Sequence, residues 1–447
     1  MISLDLNGPL TVRAVLASEW ARLRDFRLRA LANAPQPFGS ATPARSAARV
    51  GERPLAEGTG RDRGPTGLPS RARLGQADLV RAVATILVII IHCAPWPSQA
   101  SSSAASLYSG LSLISRVSVP LFVVLSGLLL AYGHRQQAAK GEFWGRRLRR
   151  TLLPWLFWAG VYFALTVQFQ GMSPAPSASW GWWTGGAGHL FFLILVPQLY
   201  VLYMIWPKGR RSSVVALGVA VVVQVGLQLA RVVLPIHGGL GQILFLDYGF
   251  EEAPFWVGYF GLGVVLGLHP GWLDLGGRLR WLAIPASIGA VILLFAGLPG
   301  RIATNWGPWV QGTGGFLRPS LLAVAGLVLF DLWAVAPLLM ERGSAPVRRV
   351  VVGLSRQSLG IYIIHPMFPL GAGPLLEIAP RPLSLQEPLP CSLLPFSILV
   401  VGSAAFGWGL TRLLTRSKVT AWTVGESAQG RPGAQPPRVL SQGALGT

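Results

Sequence analysis

The chain has 447 residues, 51% of them apolar and only 12% charged, with a mean hydropathy of +0.50. That balance excludes an ordinary soluble domain and reads as a polytopic membrane protein. The net charge of +21 is concentrated in the N-terminal segment, the short loops and the tail. Membrane topology accounts for that placement better than nucleic-acid binding does.

Residues 1–77 form an Arg-, Ala-, Pro- and Gly-rich extension. A helical apolar stripe runs through Trp20, Leu23, Phe26 and Leu31, which an interfacial amphipathic helix would also show. Residues 40–77 read as a flexible linker. The opening lacks the long apolar core and small-residue cleavage site of a secretory leader.

Ten apolar segments follow, at about 79–96, 117–133, 151–170, 189–206, 213–234, 253–268, 281–298, 317–340, 355–373 and 391–414. Each is near the length that crosses about 30 Å of hydrocarbon, and several are short. The expected fold is therefore an all-α integral-membrane bundle of about ten transmembrane helices. One set of alternate loops carries Arg135, Lys140, Arg146, Arg147, Arg149 and Arg150, then Lys208, Arg210 and Arg211, then Arg278 and Arg280, then Arg342, Arg348 and Arg349. The other set offers only Arg301 and Arg381. This asymmetry predicts that both termini are cytoplasmic. Tryptophans near the segment ends, such as Trp96, Trp144, Trp182 and Trp306, suit aromatic belts. Residues 78–416 form the membrane domain, and 417–447 read as a disordered cytoplasmic tail.

The organising stretch is DLVRAVATILVIIIHCAPWP, 78–97. Arg81 and His92 are eleven residues apart. On a helix that spacing returns within roughly 20° and rises about 16–17 Å. The two side chains share one face at different depths, and the cost of an ionisable group in lipid turns that face inward. A cation near the cytosol can hold an anionic donor, and a deeper histidine can act as general base on a hydroxyl. The plainer alternative makes Arg81 a positive-inside anchor and His92 a satisfied polar spacer. Cys93 points about 100° away from His92 and reads as a small apolar filler. With one cysteine here and the other at Cys391, a disulfide framework or a zinc site is not expected.

Other residues carry two readings each. Arg116 either faces an acceptor or snorkels to the interface. His189 positions an acceptor or bonds a loop carbonyl. Glu251 and Glu252, near Asp247, bind sugar hydroxyls or form a solvated acidic loop. Ser126–Gly127 is a close-packing notch rather than a nucleophile. Asp331 lies within a span and needs a partner. His365 stands before Pro366, where the helix can kink, and reads as structural first.

These residues lie in runs that resemble a family. The Arg81–His92 spacing is similar to the signature of the acyltransferase 3 family of bacterial integral-membrane O-acyltransferases. VPLFVVLSGLLL (119–130), FWGRRLRRTLLPWLFW (143–158), GHLFFLILVPQLY (188–200) and SLGIYIIHPMF (358–368) resemble its further motifs in the expected order. Phe191 stands where the family usually has Trp. The resemblance spans about residues 76–415. Residues 11–50 weakly resemble the opening of a GNAT-type N-acetyltransferase, without the glycine loop that would cradle CoA. The family resemblance implies transfer of an acyl group, usually acetyl from cytosolic acetyl-CoA, to a carbohydrate hydroxyl of a surface or exported glycan. It implies His92 as base, Arg81 as the residue engaging the donor, and a multi-pass protein of the bacterial inner membrane. Acyl-CoA, a carbohydrate acceptor and the lipid bilayer are the expected partners; no metal and no resident cofactor are expected. A transporter of a polysaccharide or lipid-linked sugar is the alternative.

Overall fold

The computed structural model describes residues 2–3, 11–12, 71–100, 102–134, 140–170, 183, 188–233, 251–296 and 315–426. Ile2–Ser3 (β1) pairs antiparallel with Thr11–Val12 (β2). The stripe at Trp20–Leu31, residues 40–70 of the expected linker 40–77, Asp247, Arg301 and residues 427–447 lie outside the described residues; residues 71–77, the end of that linker, are helical instead.

The rest is helical. In chain order the α-helices are α1 (Arg71–Cys93), α2 (Pro95–Ala100), α3 (Ser102–Ser115), α4 (Ser118–His134), α5 (Lys140–Gln170), α6 (Phe191–Ile205), α7 (Arg210–Val233), α8 (Val257–Leu268), α9 (Gly271–Arg278), α10 (Ala283–Ala296), α11 (Pro319–Glu341), α12 (Ala345–Arg356), α13 (Ser358–Ile364), α14 (Met367–Glu377) and α15 (Leu393–Leu414). All ten apolar segments hold helix, but they are not alike. Among the described residues, seven stretches are long and apolar enough to cross a membrane: Gly75–Pro97, Ala105–Tyr132, Arg147–Gln168, Gly188–Ile205, Arg210–Arg231, Pro319–Glu341 and Leu393–Leu414. An eighth is the pair α13 and α14, bent by 45°. Ten full spans are not reached among the described residues, because α8 and α10 are short there. Their 12 and 14 residues reach only about 18 and 21 Å, short of the roughly 30 Å hydrocarbon core.

Helix α1 is the seam of the bundle. It packs against α4, α11, α12, α13 and α15. Steps of about 100° per residue place Ala77, Val80, Ala84, Val88 and Ile91 on one face, in the main apolar cluster. Ala82, Ile89 and Cys93 fall on another face, in a second cluster with Tyr108, Ile361 and Phe396. Between those faces runs a polar stripe of Asp78, Arg81, Thr85 and His92. Cys93 is fully buried with its Sγ 3.6 Å from Ser403 Oγ, as a filler should be.

The tightest joint is α4 against α8. A Cβ on Gly127 would stand 2.4 Å from Phe260 O, and one on Gly263 would stand 1.9 Å from Val124 O. Without side chains there, the two backbones approach closely, and membrane helices lacking a hydrophobic drive depend on such contact. Ser126 donates its hydroxyl to Phe122 O at 2.8 Å, so the Ser126–Gly127 notch is packing.

Residues 417–426 correct the expected tail. A 3₁₀ turn at Ala421–Val424 is buried against α5, and Trp158 Nε1 donates to Thr423 O at 2.9 Å. Gly425, at φ +71°, closes this turn against Leu359 and Arg150 O. The composition turns polar here, yet two apolar side chains and one tryptophan donor hold the segment to the bundle.

Candidate functional site

At the Arg81 end, the guanidinium is buried and donates to Ser355 Oγ at 3.0 Å, with Asp78 Oδ1 at 3.7 Å. Ser355 in turn donates to Asp78 Oδ1 at 2.6 Å. A buried charge is tolerable only when paired and hydrogen-bonded, and α12 supplies that hydroxyl. This arrangement fixes the cation in one orientation.

The His92 end is built around a proline. Pro366 has no N–H, so the carbonyl of Tyr362, four residues earlier, loses its helical donor. The chain bends there between α13 and α14. His365 fills the gap: its Nδ1 lies 2.8 Å from Tyr362 O and 3.0 Å from Ile361 O. Carbonyl oxygens only accept, so Nδ1 carries the proton and Nε2 is bare. The next carbonyl, Ile363 O, accepts from Tyr162 Oη at 2.7 Å and from His189 Nε2 at 3.1 Å. His189 is therefore the opposite tautomer, with the proton on Nε2. Its place is set by Gly188, whose φ of +67° suits glycine, and by Tyr362 Oη, which donates to His189 O.

Three histidines thus converge. Ring centres stand 5.0 Å apart for His92 and His365, 5.7 Å for His92 and His189, and 5.9 Å for His189 and His365. His365 is completely buried, whereas His92 is only partly so. Among the described residues no cluster of His, Cys, Asp or Glu has the geometry to hold a metal ion.

Helices α12 and α13 run beside α1, with Ser355 at Arg81 and His365 at His92. Between them Ser358 and Tyr362, with Phe122, Phe192 and Leu359, line a small gap with room for about one water. Ser358 Oγ is buried there without a hydrogen-bond partner among the described residues.

Arg116 sits at the break between α3 and α4, buried, with its guanidinium 4.3 Å from the centre of the Phe316 ring. It lies near enough to His92 for its charge to bear on that ring. Burial removes the snorkelling reading. Glu251 is 5% exposed, which removes the solvated-loop reading for that residue. Gln198 of α6 clamps its turn, donating to Glu251 O at 3.0 Å and accepting from Ala253 N at 3.1 Å. Burial, and then the charge of Glu252, push the Glu251 carboxyl up to about 8; burial also raises Glu252. Neither glutamate shares a hydrogen bond or ion pair with the histidines among the described residues. Asp331 finds the partner it requires in Ser287 of α10, whose hydroxyl donates to it at 2.5 Å.

The residue reading underweighted His365 and gave no role to Tyr162, Tyr362 or Ser355. The available signal was the His365–Pro366 dipeptide at the end of a helical run, since a proline there leaves the carbonyl one turn back without its helical donor.

These features define a multi-pass helical membrane protein with a polar, histidine-centred site threaded along its central helix. The model of the acyltransferase 3 family, described as an acyltransferase domain, matches residues 74–412; the chain belongs to that family and is a membrane acyltransferase. Membership does not favour the transporter alternative. No curated protein and no solved structure matches.

Proposed function

We propose that this protein moves an acyl group, acetyl in the simplest case, from cytosolic acyl-CoA to a carbohydrate hydroxyl of a surface or exported glycan at the bacterial inner membrane. The observation that carries the reading is the shared stripe of α1. It holds a clamped cation at one end and, about 16–17 Å further, a histidine that makes no hydrogen bond among the described residues.

Arg81 binds the anionic part of the donor from the cytoplasmic side, with both termini on that side. The thioester reaches His92. His92 takes the proton of the acceptor hydroxyl as its oxygen attacks the thioester carbonyl. The tetrahedral intermediate expels the thiolate, which recovers the proton. Arg116 offers fixed positive charge near the developing oxyanion. His189, Glu251 and Glu252 contact the acceptor, the glutamates through sugar hydroxyls.

The test uses membrane vesicles with labelled acetyl-CoA and a glycan extract of the host, comparing wild type with His92→Ala at matched expression. Label reaching glycan in wild type and not in the mutant supports the reading. Equal labelling in both removes His92 from the mechanism, and no labelling in either removes acetyl transfer.

A further inference from the structure

We propose that His365 is a positioning residue for His92: its bare Nε2 accepts the N–H of His92 and so decides which His92 nitrogen is left free to act as base. The inference rests on the acyl-transfer reading and assigns a role that reading leaves empty.

Three observations carry it. First, the tautomer of His365 is dictated by the backbone. Two carbonyls hold its Nδ1–H, and one of them is released by Pro366. Second, its Nε2 is sealed from solvent and has no hydrogen-bond partner among the described residues. A buried acceptor without a donor is costly and asks for an explanation. Third, the nearest ring is His92, 5.0 Å away between centres with 60° between planes. Each ring nitrogen stands about 1.1 Å from its ring centre, so nitrogens turned toward one another would be about 2.8 Å apart, within hydrogen-bonding range. The bond then requires the His92 ring to be turned so that its N–H faces His365.

The division of labour follows from burial. His92 is partly open and touches the acceptor; His365 lies fully behind it and cannot. A neutral imidazole has one N–H and one bare nitrogen. Once the N–H is directed at His365, the bare nitrogen must face the acceptor. When His92 takes the hydroxyl proton it becomes an imidazolium with both nitrogens protonated, and His365 Nε2 still accepts from it. The proton then leaves with the thiolate, and neither histidine keeps a net charge. His365 thus orients a histidine base through a neutral acceptor, as a carboxylate does in a hydrolytic triad.

The experiment compares wild type, His92→Ala, His365→Asn and His365→Gln in the vesicle assay with labelled acetyl-CoA and host glycan. Asn places an N–H where Nδ1 was and has nothing to reach His92. Gln extends far enough for its Oε1 to stand where Nε2 was. The expected result is a fall in kcat of roughly ten- to a hundredfold for His365→Asn, the scale of losing an orienting partner, with KM for acetyl-CoA unchanged. His365→Gln should recover at least a third of wild-type kcat. Equal activity of the two variants, whether high or low, would overturn the proposal, as would a change confined to KM. Failure of acyl transfer itself would appear in wild type and His92→Ala, whereas failure of this inference appears only between the two His365 variants. A reading that needs no substrate is the ring ¹⁵N spectrum of the full chain in nanodiscs. It should show one histidine, absent in His365→Asn, with its proton on Nδ1; a proton on Nε2 of that residue would equally overturn the proposal.

Discussion

Arg81 is held by Ser355 from a helix 274 positions along the chain: the guanidinium donates to the Ser355 hydroxyl at 3.0 Å while that hydroxyl donates to Asp78. The serine therefore passes the pull of a carboxylate to a buried cation. A hydrogen bond to a charged group is worth about 1.5–3 kcal/mol, and each 1.4 kcal/mol is roughly a factor of ten. Ser355→Ala is expected to raise KM for acyl-CoA about tenfold with little change in kcat. Arg81→Ala should do more, and Arg81→Lys should not restore it, because an ammonium cannot copy the fork of a guanidinium. Steady-state kinetics with varied acetyl-CoA decide both; an unchanged KM in Ser355→Ala would sever the clamp from donor binding.

This clamp also shows what a sequence can and cannot disclose. Arg81 and His92 were legible because both lie on one helix, where 3.6 residues per turn fixes their relation. The apolar segments were legible for the same reason: burial in lipid is written locally. Ser355 was not, since its partner is 274 residues away and serine is common in loops and helices alike. His365 was half legible, as Pro366 announces a bend, but which carbonyl that bend releases to which side chain is settled only when α13 lies beside α1. Glu251 read as part of an exposed acidic loop because charge usually means solvent; the Gln198 clamp that buries its turn leaves no local trace. The two short helices, α8 and α10, are apolar enough for spans, but their described residues are too few to cross.

The α4–α8 joint should be intolerant of a single methyl group. Gly263→Ala would place its Cβ 1.9 Å from Val124 O, a backbone atom that cannot rotate away. Overpacking typically costs about 1–3 kcal/mol, and rigid backbone on both sides puts this site at the upper end. Gly326→Ala, on α11 with open space around it, should gain a few tenths of a kcal/mol to about 1 kcal/mol from helix propensity. Thermal denaturation of the two purified variants in the same detergent tests the contrast. Equal melting temperatures would mean that the helices can separate at no cost.

Glu251 makes stability depend on pH. Its folded carboxyl titrates near 8 because burial, and then the charge of Glu252, oppose ionisation; in the unfolded chain it titrates near 4.3. Below about pH 4 both states are protonated and the residue costs nothing. As pH rises toward 8 the unfolded chain releases its proton while the folded protein keeps it, so stability falls across that window and levels off above it. Glu251→Gln removes this dependence. The variant should match wild type near pH 4 and melt at higher temperature at pH 8. A wild-type melting temperature that rises from pH 4 to pH 8 relative to the variant would contradict the buried, protonated carboxyl.

Pro366 offers the sharpest separation of folding from function. Pro366→Ala restores an N–H one turn beyond Tyr362 O, and the carbonyl that fixes the His365 tautomer then has a backbone suitor. An alanine at this junction supplies the N–H that proline lacks, so α13 can run straight on into α14 and the backbone gains a helical bond. That same straightening draws the Ile363 carbonyl back toward helical bonding and away from Tyr162 and His189. The variant is expected to melt no lower than wild type and to lose at least tenfold in acyl transfer. A stabilised protein with full activity would show that the bend is architectural. A variant that is inactive only because it unfolds would show that the bend holds the bundle rather than the histidines; the transfer assay separates the first of these outcomes from the expected one, and the melting curve separates the second.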